Sequence, residues 1–484
     1  MSSPVKLIKN TGIYVILGFL PLAVNSLLAP IYTEYLSPEE YGIIGLATIV
    51  QNVLVNLIAL GLAGAYSRFY FDFANDKKQL YSLLKGIFIA IILQGLLFVM
   101  LLEQTGALLF EFSFKNELLT YNEYGIYINL IAIGTIIQSV ILVHYRNEEK
   151  PMHFAIYSMI FFISMVGGVL YEVVYLKNGA LGSVSGRAYG IVIPTCIYLL
   201  FFFIKYGVKV SWKELWPMYK YGLPLIPYML LALAFNNLDR IIIERFLSMS
   251  MLGIYTFGLA AAAVISIFQN GLQSATFPQV YRQLKEENFD KSRLILESFL
   301  VGGLLVIAIS LVFSEPLILY LIDSQYHSVV KYLPLLILSY VFRSNYIVFS
   351  LPLFYYHKTK VLPIINLLSF GFGLVTTIWL ANLFGLFGVA IGVVFVKAYQ
   401  LLFALIFVKR YKLYNTSLFR LNSIHILTLT YLVISLIVTY YRTSLSLNFQ
   451  WIIIIPPVVL ITLFLILYRN KLSSLYQLLT KKSL

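Results

Sequence analysis

The chain is predicted to be an all-α, multi-pass membrane protein, and three observations carry that prediction. Of its 484 residues, 60% are hydrophobic and only 12% charged, about half the charged share usual in a soluble domain. Its mean hydropathy is +0.85. Apolar runs of roughly 20 residues, the length that crosses a bilayer as a helix, recur from end to end. A large soluble helical protein would not hold so many such runs. The strands of a membrane barrel would alternate in polarity instead of running continuously apolar.

About fourteen spans are expected. They lie near 11–32, 42–66, 84–104, 122–143, 154–176, 187–204, 221–243, 253–276, 295–314, 333–354, 362–383, 386–407, 423–441 and 451–468. The loops between them are short, and no soluble domain fits anywhere. The first run, from Thr11 to Tyr32, is long for a secretory signal and belongs to a repeat described below, so it is expected to be retained. With the N-terminus inside, the inside loops carry Lys77, Lys78, Lys205, Lys209, Lys213, Lys220, Arg282, Lys285, Lys291, Arg293, Lys409, Arg410 and Lys412. Roughly twenty-five basic residues then fall inside against roughly five outside, which places both termini in the cytoplasm. The net charge of +14 reads as loops facing anionic headgroups and not as a nucleic-acid surface. Cys196, the single cysteine, sits in an apolar run and allows no internal disulfide.

One unit is used twice. Leu36-Ser37-Pro38-Glu39-Glu40-Tyr41-Gly42-Ile43 ends one apolar run and opens the next. About 211 positions later Leu247-Ser248-Met249-Ser250-Met251-Leu252-Gly253-Ile254 does the same, with Leu, Ser, Gly and Ile in register. A second match, at an offset of about 206, links Gly179, Gly182 and Gly186, ahead of the sixth span, to Gly385, Gly388 and Gly392 at the twelfth. Small residues four apart let helix backbones approach closely, and simple packing accounts for these glycines. The organisation that follows is a six-helix lobe over 1–210, a second over 211–415, and two further helices with a tail over 416–484. Two halves with even helix counts share one orientation, so the repeat is parallel, about an axis along the membrane normal. Transporters of this design place the substrate path between the halves and rock them to alternate access.

Several functions are excluded by what is missing. There is no phosphate loop of the G-x-x-x-x-G-K-[ST] kind and no dinucleotide fingerprint. The histidines His144, His153, His327, His357 and His425 show no metal spacing. No cofactor is called for. A membrane-embedded glycosyltransferase or polymerase would collect carboxylates in a long loop outside the bilayer, and none exists here. The chain is therefore read as a transporter and not an enzyme.

The residues resemble a known family. Asn10-Thr11-Gly12-Ile13-Tyr14, then Leu36 to Gly42, then Gly61-Leu62 followed by Arg68-Phe69, are similar to the opening of the Wzx-type polysaccharide flippases of the multidrug/oligosaccharidyl-lipid/polysaccharide exporter superfamily. The second half resembles them through Tyr221-Gly222-Leu223-Pro224-Leu225-Ile226-Pro227, Leu238-Asp239-Arg240, Gly253-Ile254-Tyr255 and Phe277-Pro278. The likeness covers roughly the first twelve spans; it rests on motif order and spacing more than on any single motif. It implies a two-lobed twelve-helix core with two extra helices. It also implies flipping of undecaprenyl-diphosphate-linked oligosaccharide, an O-antigen or similar repeat unit, across the bacterial inner membrane. The partners implied are that lipid-linked substrate, membrane lipids, and the polysaccharide polymerase and chain-length machinery, with no nucleic acid. A lipid II flippase shares the same electrostatic logic. A cation-coupled drug exporter of the same superfamily would show carboxylates within its spans.

The intramembrane charges fit an anionic substrate. A charge at mid-bilayer costs a few kcal/mol, so it faces a cavity or a partner. Arg343 falls mid-way along the tenth span and Lys397 mid-way along the twelfth. Arg240 lies in the seventh beside Asp239, and Arg68 and Arg187 lie at span ends. Asp239 is the one clear deep acid. Guanidinium groups bind a diphosphate in bidentate fashion. Tyr340 and Tyr346 flank Arg343, and Gln400 lies one turn from Lys397; such groups contact sugars. Bland readings stand beside these. Arg240 and Glu244, four apart, form an intrahelical pair; Arg68 and Arg187 snorkel to headgroups; Asn52 and Asn56 hydrogen-bond between helices.

Overall fold

The computed structural model describes residues 20–208 and 212–413, with the isolated positions 462, 466 and 469. The described residues form thirteen α-helices joined by short turns, with no strand. Ten helices are long and apolar enough to cross a membrane, and one of these, over 359–410, is a bent pair. The chain is an all-α, multi-pass membrane protein. The start of the first expected span and the spans near 423–441 and 451–468 lie outside the described residues.

By contacts the chain divides into Met1–Phe257 and Gly258–Leu484. In the first unit α1 (Leu20–Tyr35) leads into α2 (Pro38–Ala59). Ser37 caps α2 by accepting from the Glu40 amide at 3.3 Å, while the Glu40 carboxylate accepts from the Ser37 amide at 2.8 Å. Such a reciprocal cap, with Pro38 in the first turn, is worth about 1 kcal/mol and sets where the helix starts. The expected span 42–66 is not one helix. Leu60 (φ 45) and Gly61 (φ 77) turn left-handed and break it, and α3 (Leu62–Phe73) follows. Then come α4 (Lys77–Ser113), α5 (Tyr121–Asn147), α6 (Pro151–Val169, extended by a π-helical turn Leu170–Tyr175) and α7 (Gly179–Tyr206). A short α8 (Leu215–Gly222) precedes α9 (Ile226–Phe246).

The glycines expected ahead of the sixth span lie inside α7 instead. Gly186 and Gly168 of α6 meet backbone to backbone, so a Cβ on either would strike the other's carbonyl. That is close packing of small residues spaced four apart.

The helix α10 (Met249–Lys285) opens in the first unit and continues into the second. The contact boundary therefore falls inside a helix, because α9 and the first turns of α10 pack on α2. The second unit adds α11 (Phe289–Leu321), α12 (Leu333–Tyr355) and α13 (Leu362–Arg410). At Gly385 (φ 57, ψ −134) α13 bends into two arms. That backbone conformation is one L side chains rarely adopt, which explains a glycine there. The core of this unit gathers Phe299, Leu300, Val348, Phe349 and Leu351. Large apolar side chains such as Leu97, Phe201 and Val375 point outward, as lipid-facing helices require.

Candidate functional site

In the second unit, Arg343 of α12 is gripped by two consecutive amides of α10. Its Nη1 donates to Gln269 Oε1 at 2.6 Å and its Nη2 to Asn270 Oδ1 at 2.7 Å. Gln269, fully buried, is itself held: its Nε2 donates to Ser344 Oγ at 2.7 Å and to the Tyr340 carbonyl at 3.2 Å. The Arg343 guanidinium also lies 5.9 Å from the centre of the Tyr340 ring. Among the described residues no carboxylate comes within ion-pair distance of it. Arg343 is thus oriented by neutral groups, and its charge is left uncancelled inside a span.

The other expected residues of this unit separate. Gln400 is buried and donates to Asn366 Oδ1 at 3.0 Å, joining the two arms of α13. Lys397 is half-buried one turn away. Tyr346 packs among apolar residues at the join of two core clusters.

In the first unit Arg187 and Arg240 are held differently. Arg187 of α7 is buried, and its Nη2 donates to Tyr32 Oη at 3.1 Å, which also accepts from Ser183 at 2.8 Å. The rings of Tyr32 and Tyr41 meet edge to face at 5.6 Å. Arg187 is therefore not a snorkelling residue. Arg240 does not pair with Glu244. Its Nε is buried with no hydrogen-bond partner, and each neighbouring carboxylate is engaged elsewhere. Asp239 accepts from Tyr255 Oη at 2.6 Å. Glu244 accepts from the amides of Lys115 and Asn116 at 2.5 and 3.0 Å, capping the turn between α4 and α5. Arg68 is 61% exposed and pairs with Asp72 at 3.3 Å, a surface contact of little energetic weight.

One further expectation is corrected. Asn56 donates to the Asn52 carbonyl of its own helix at 2.8 Å and not across helices. Besides Asp239, the acids Glu172, Glu244 and Glu297 are buried within the protein. Glu172 is held by Asn178 Nδ2 at 2.8 Å and Glu297 by Arg293 Nε at 2.9 Å. Sequence reasoning missed Gln269 and Asn270. Their signal was two adjacent amides in the middle of an apolar run. Among the described residues no three metal-ligating side chains come together.

A family described as "Polysaccharide biosynthesis protein" matches residues 33–331. The chain belongs to that family. It is 24% identical over 393 residues to "Lsg locus putative protein 1" of Haemophilus influenzae, across 79% of this chain and 91% of that one. A second Haemophilus influenzae protein, an uncharacterized membrane protein, is 24% identical over 398 residues, across 78% and 90%. The solved structure "Lipid II flippase MurJ, inward closed conformation" superposes with a TM-score of 0.70 at 16% identity, covering 96% of this chain and 99% of that one. An inward-facing multidrug resistance MATE family transporter of the MOP superfamily superposes at 0.63 and 16% identity, covering 81% and 96%. At such identities the likeness is one of fold. The resemblance to polysaccharide flippases of that superfamily is borne out in family and in fold. The chain is a polysaccharide biosynthesis protein by family and shares its fold with these solved transporters.

Proposed function

We propose that this polysaccharide biosynthesis protein flips a lipid-linked oligosaccharide unit from the cytoplasmic to the periplasmic leaflet of a bacterial inner membrane. The observation that carries the reading is Arg343, a guanidinium held inside a span by Gln269 and Asn270 and left without a carboxylate. A cation so placed has an anion to meet, and a diphosphate offers the geometry a guanidinium prefers. Arg240, whose buried Nε has no partner, offers a second such group, and Lys397 a third cation. Tyr340 and Gln400 supply surfaces for sugar. Two six-helix lobes, 1–210 and 211–415, rock to expose the path alternately, with both termini in the cytoplasm and the polymerase and chain-length machinery receiving the product.

Deleting the gene tests this. Surface polysaccharide is expected to fall while lipid-linked precursor accumulates on the cytoplasmic leaflet. Unchanged surface glycan with altered drug resistance overturns the reading in favour of an exporter. The fold likeness to a lipid II flippase favours one other substrate, lipid II. That reading requires the gene to restore growth to cells depleted of their own lipid II flippase.

A further inference from the structure

The face of α5, α6 and α7 that meets the bilayer contains a cleft of about 410 Å³, a size within the range of ligand sites. Tyr145 of α5, Tyr157 and Phe161 of α6, and Tyr198 and Phe202 of α7 form its wall, with Lys205 in the last turn of α7. The wall is organised ring upon ring. Tyr145 stacks on Tyr157 at 5.0 Å and 8°, Tyr157 meets Tyr198 edge to face at 5.2 Å, and Tyr198 stacks on Phe202 at 6.0 Å.

The hydroxyls of Tyr145, Tyr157 and Tyr198 engage one another, and Ile160, Phe161, Pro194, Ile197, Phe201 and Phe202 make most of the remaining lining apolar. Lys205 is the one cation lining it. Its ammonium lies 5.3 Å from the Tyr206 ring centre, and among the described residues it makes no ion pair. Lys85 of α4 donates to the Tyr206 carbonyl at 3.0 Å. Arg146 lies in the last turn of α5, and Lys150, just before α6, pairs with Glu148 at 2.8 Å. An interfacial aromatic belt would account for the tyrosines. It does not account for an open cleft beside a cation that no carboxylate cancels.

The cleft opens toward lipid, because Ile197 and Phe201 beside it are 51% and 66% exposed on a membrane-spanning helix. Whatever fills it arrives from the bilayer, carries an apolar chain, and brings one anionic group to Lys205. We propose that this cleft binds one anionic phospholipid of the surrounding membrane. Its phosphate sits at Lys205 and one acyl chain lies between α6 and α7 against Phe161 and Phe202. A zwitterionic lipid would bring its own cation beside Lys205 and is disfavoured on that ground. The site is built from residues of the first unit alone and does not depend on what is transported.

The test is native mass spectrometry of the purified full-length chain, titrated in detergent with phosphatidylglycerol, phosphatidylcholine or a polyprenyl phosphate. One phosphatidylglycerol should be retained, in preference to phosphatidylcholine. Lys205→Gln should weaken it roughly fivefold, the effect of one lysine at an anionic headgroup. Lys205→Arg should restore it, and Lys409→Gln, at the exposed end of α13, should leave it unchanged. Equal retention of phosphatidylcholine, or unchanged binding in Lys205→Gln, overturns the proposal. Displacement of phosphatidylglycerol by far lower concentrations of polyprenyl phosphate also overturns it and assigns the cleft to a carrier lipid.

Discussion

Gly42 and Gly253, equivalent positions of the repeat, make reciprocal contacts. A Cβ on Gly42 would stand 2.6 Å from the Met249 carbonyl oxygen, and a Cβ on Gly253 would run into the carbonyl of Pro38. Met249 is itself the repeat equivalent of Pro38. One turn further on, Gly45 faces its own equivalent, Thr256, whose Oγ1 would be 2.7 Å from an added Cβ. The first turns of α2 and α10 thus cross in close backbone contact within the first unit.

Gly253→Ala tests that crossing. Backbone atoms cannot yield as a flexible side chain would, so the variant should lose about 1–3 kcal/mol. Gly64→Ala, in α3 with nothing within 4 Å, should be neutral or gain up to about 1 kcal/mol from helix propensity. Thermal unfolding of both in one detergent reads the difference. Equal melting of the two variants contradicts the close crossing.

Arg343 separates charge used for transport from charge used for folding. Its partners are neutral amides, so Arg343→Ala strands no charge, and membrane abundance should stay near wild type while surface glycan is lost. Arg343→Lys keeps the charge but not the planar fork, and should retain partial export. Arg293→Ala is the contrast. It leaves Glu297, whose side chain is 8% exposed, without its salt-bridge partner, and a broken buried pair costs about 3–5 kcal/mol. Low abundance is expected there. Full export by a well-expressed Arg343→Ala would remove the cationic role.

Glu244→Ala withdraws the acceptor of two loop amides, those of Lys115 and Asn116. Both bonds are only partly buried, so losing each costs about 0.5–1.5 kcal/mol. Proteolysis should then cut first at the turn after α4, and Glu244→Gln, which keeps a carbonyl oxygen, should protect it. Cleavage at the same rate in wild type and Glu244→Ala would refute the cap.

Topology is testable from the ends. The asymmetry of basic residues predicts that reporter fusions after Lys412 and after Lys482 both report the cytoplasm. A periplasmic signal at either one breaks the fourteen-span arrangement.

The sequence by itself determined the class of molecule and the place of most helices along the chain. Each of these is written in local pattern. Apolar runs must match the bilayer thickness, Ser37 and Ser248 mark helix starts, and Gly42 and Gly253 each stand where a backbone carbonyl approaches closely. The tertiary structure alone decided who holds whom. Spacing of four along one helix suggested that Arg240 pairs with Glu244 and that Asn56 reaches another helix, and neither holds. Glu244 is taken by amides 128 and 129 residues away, Arg187 by a tyrosine 155 away, and Arg343 by amides 73 and 74 away. Helical periodicity fixes only which residues share a face. Which faces meet depends on the packing of all the helices at once, and that packing decides which buried charge is cancelled and which is left to act.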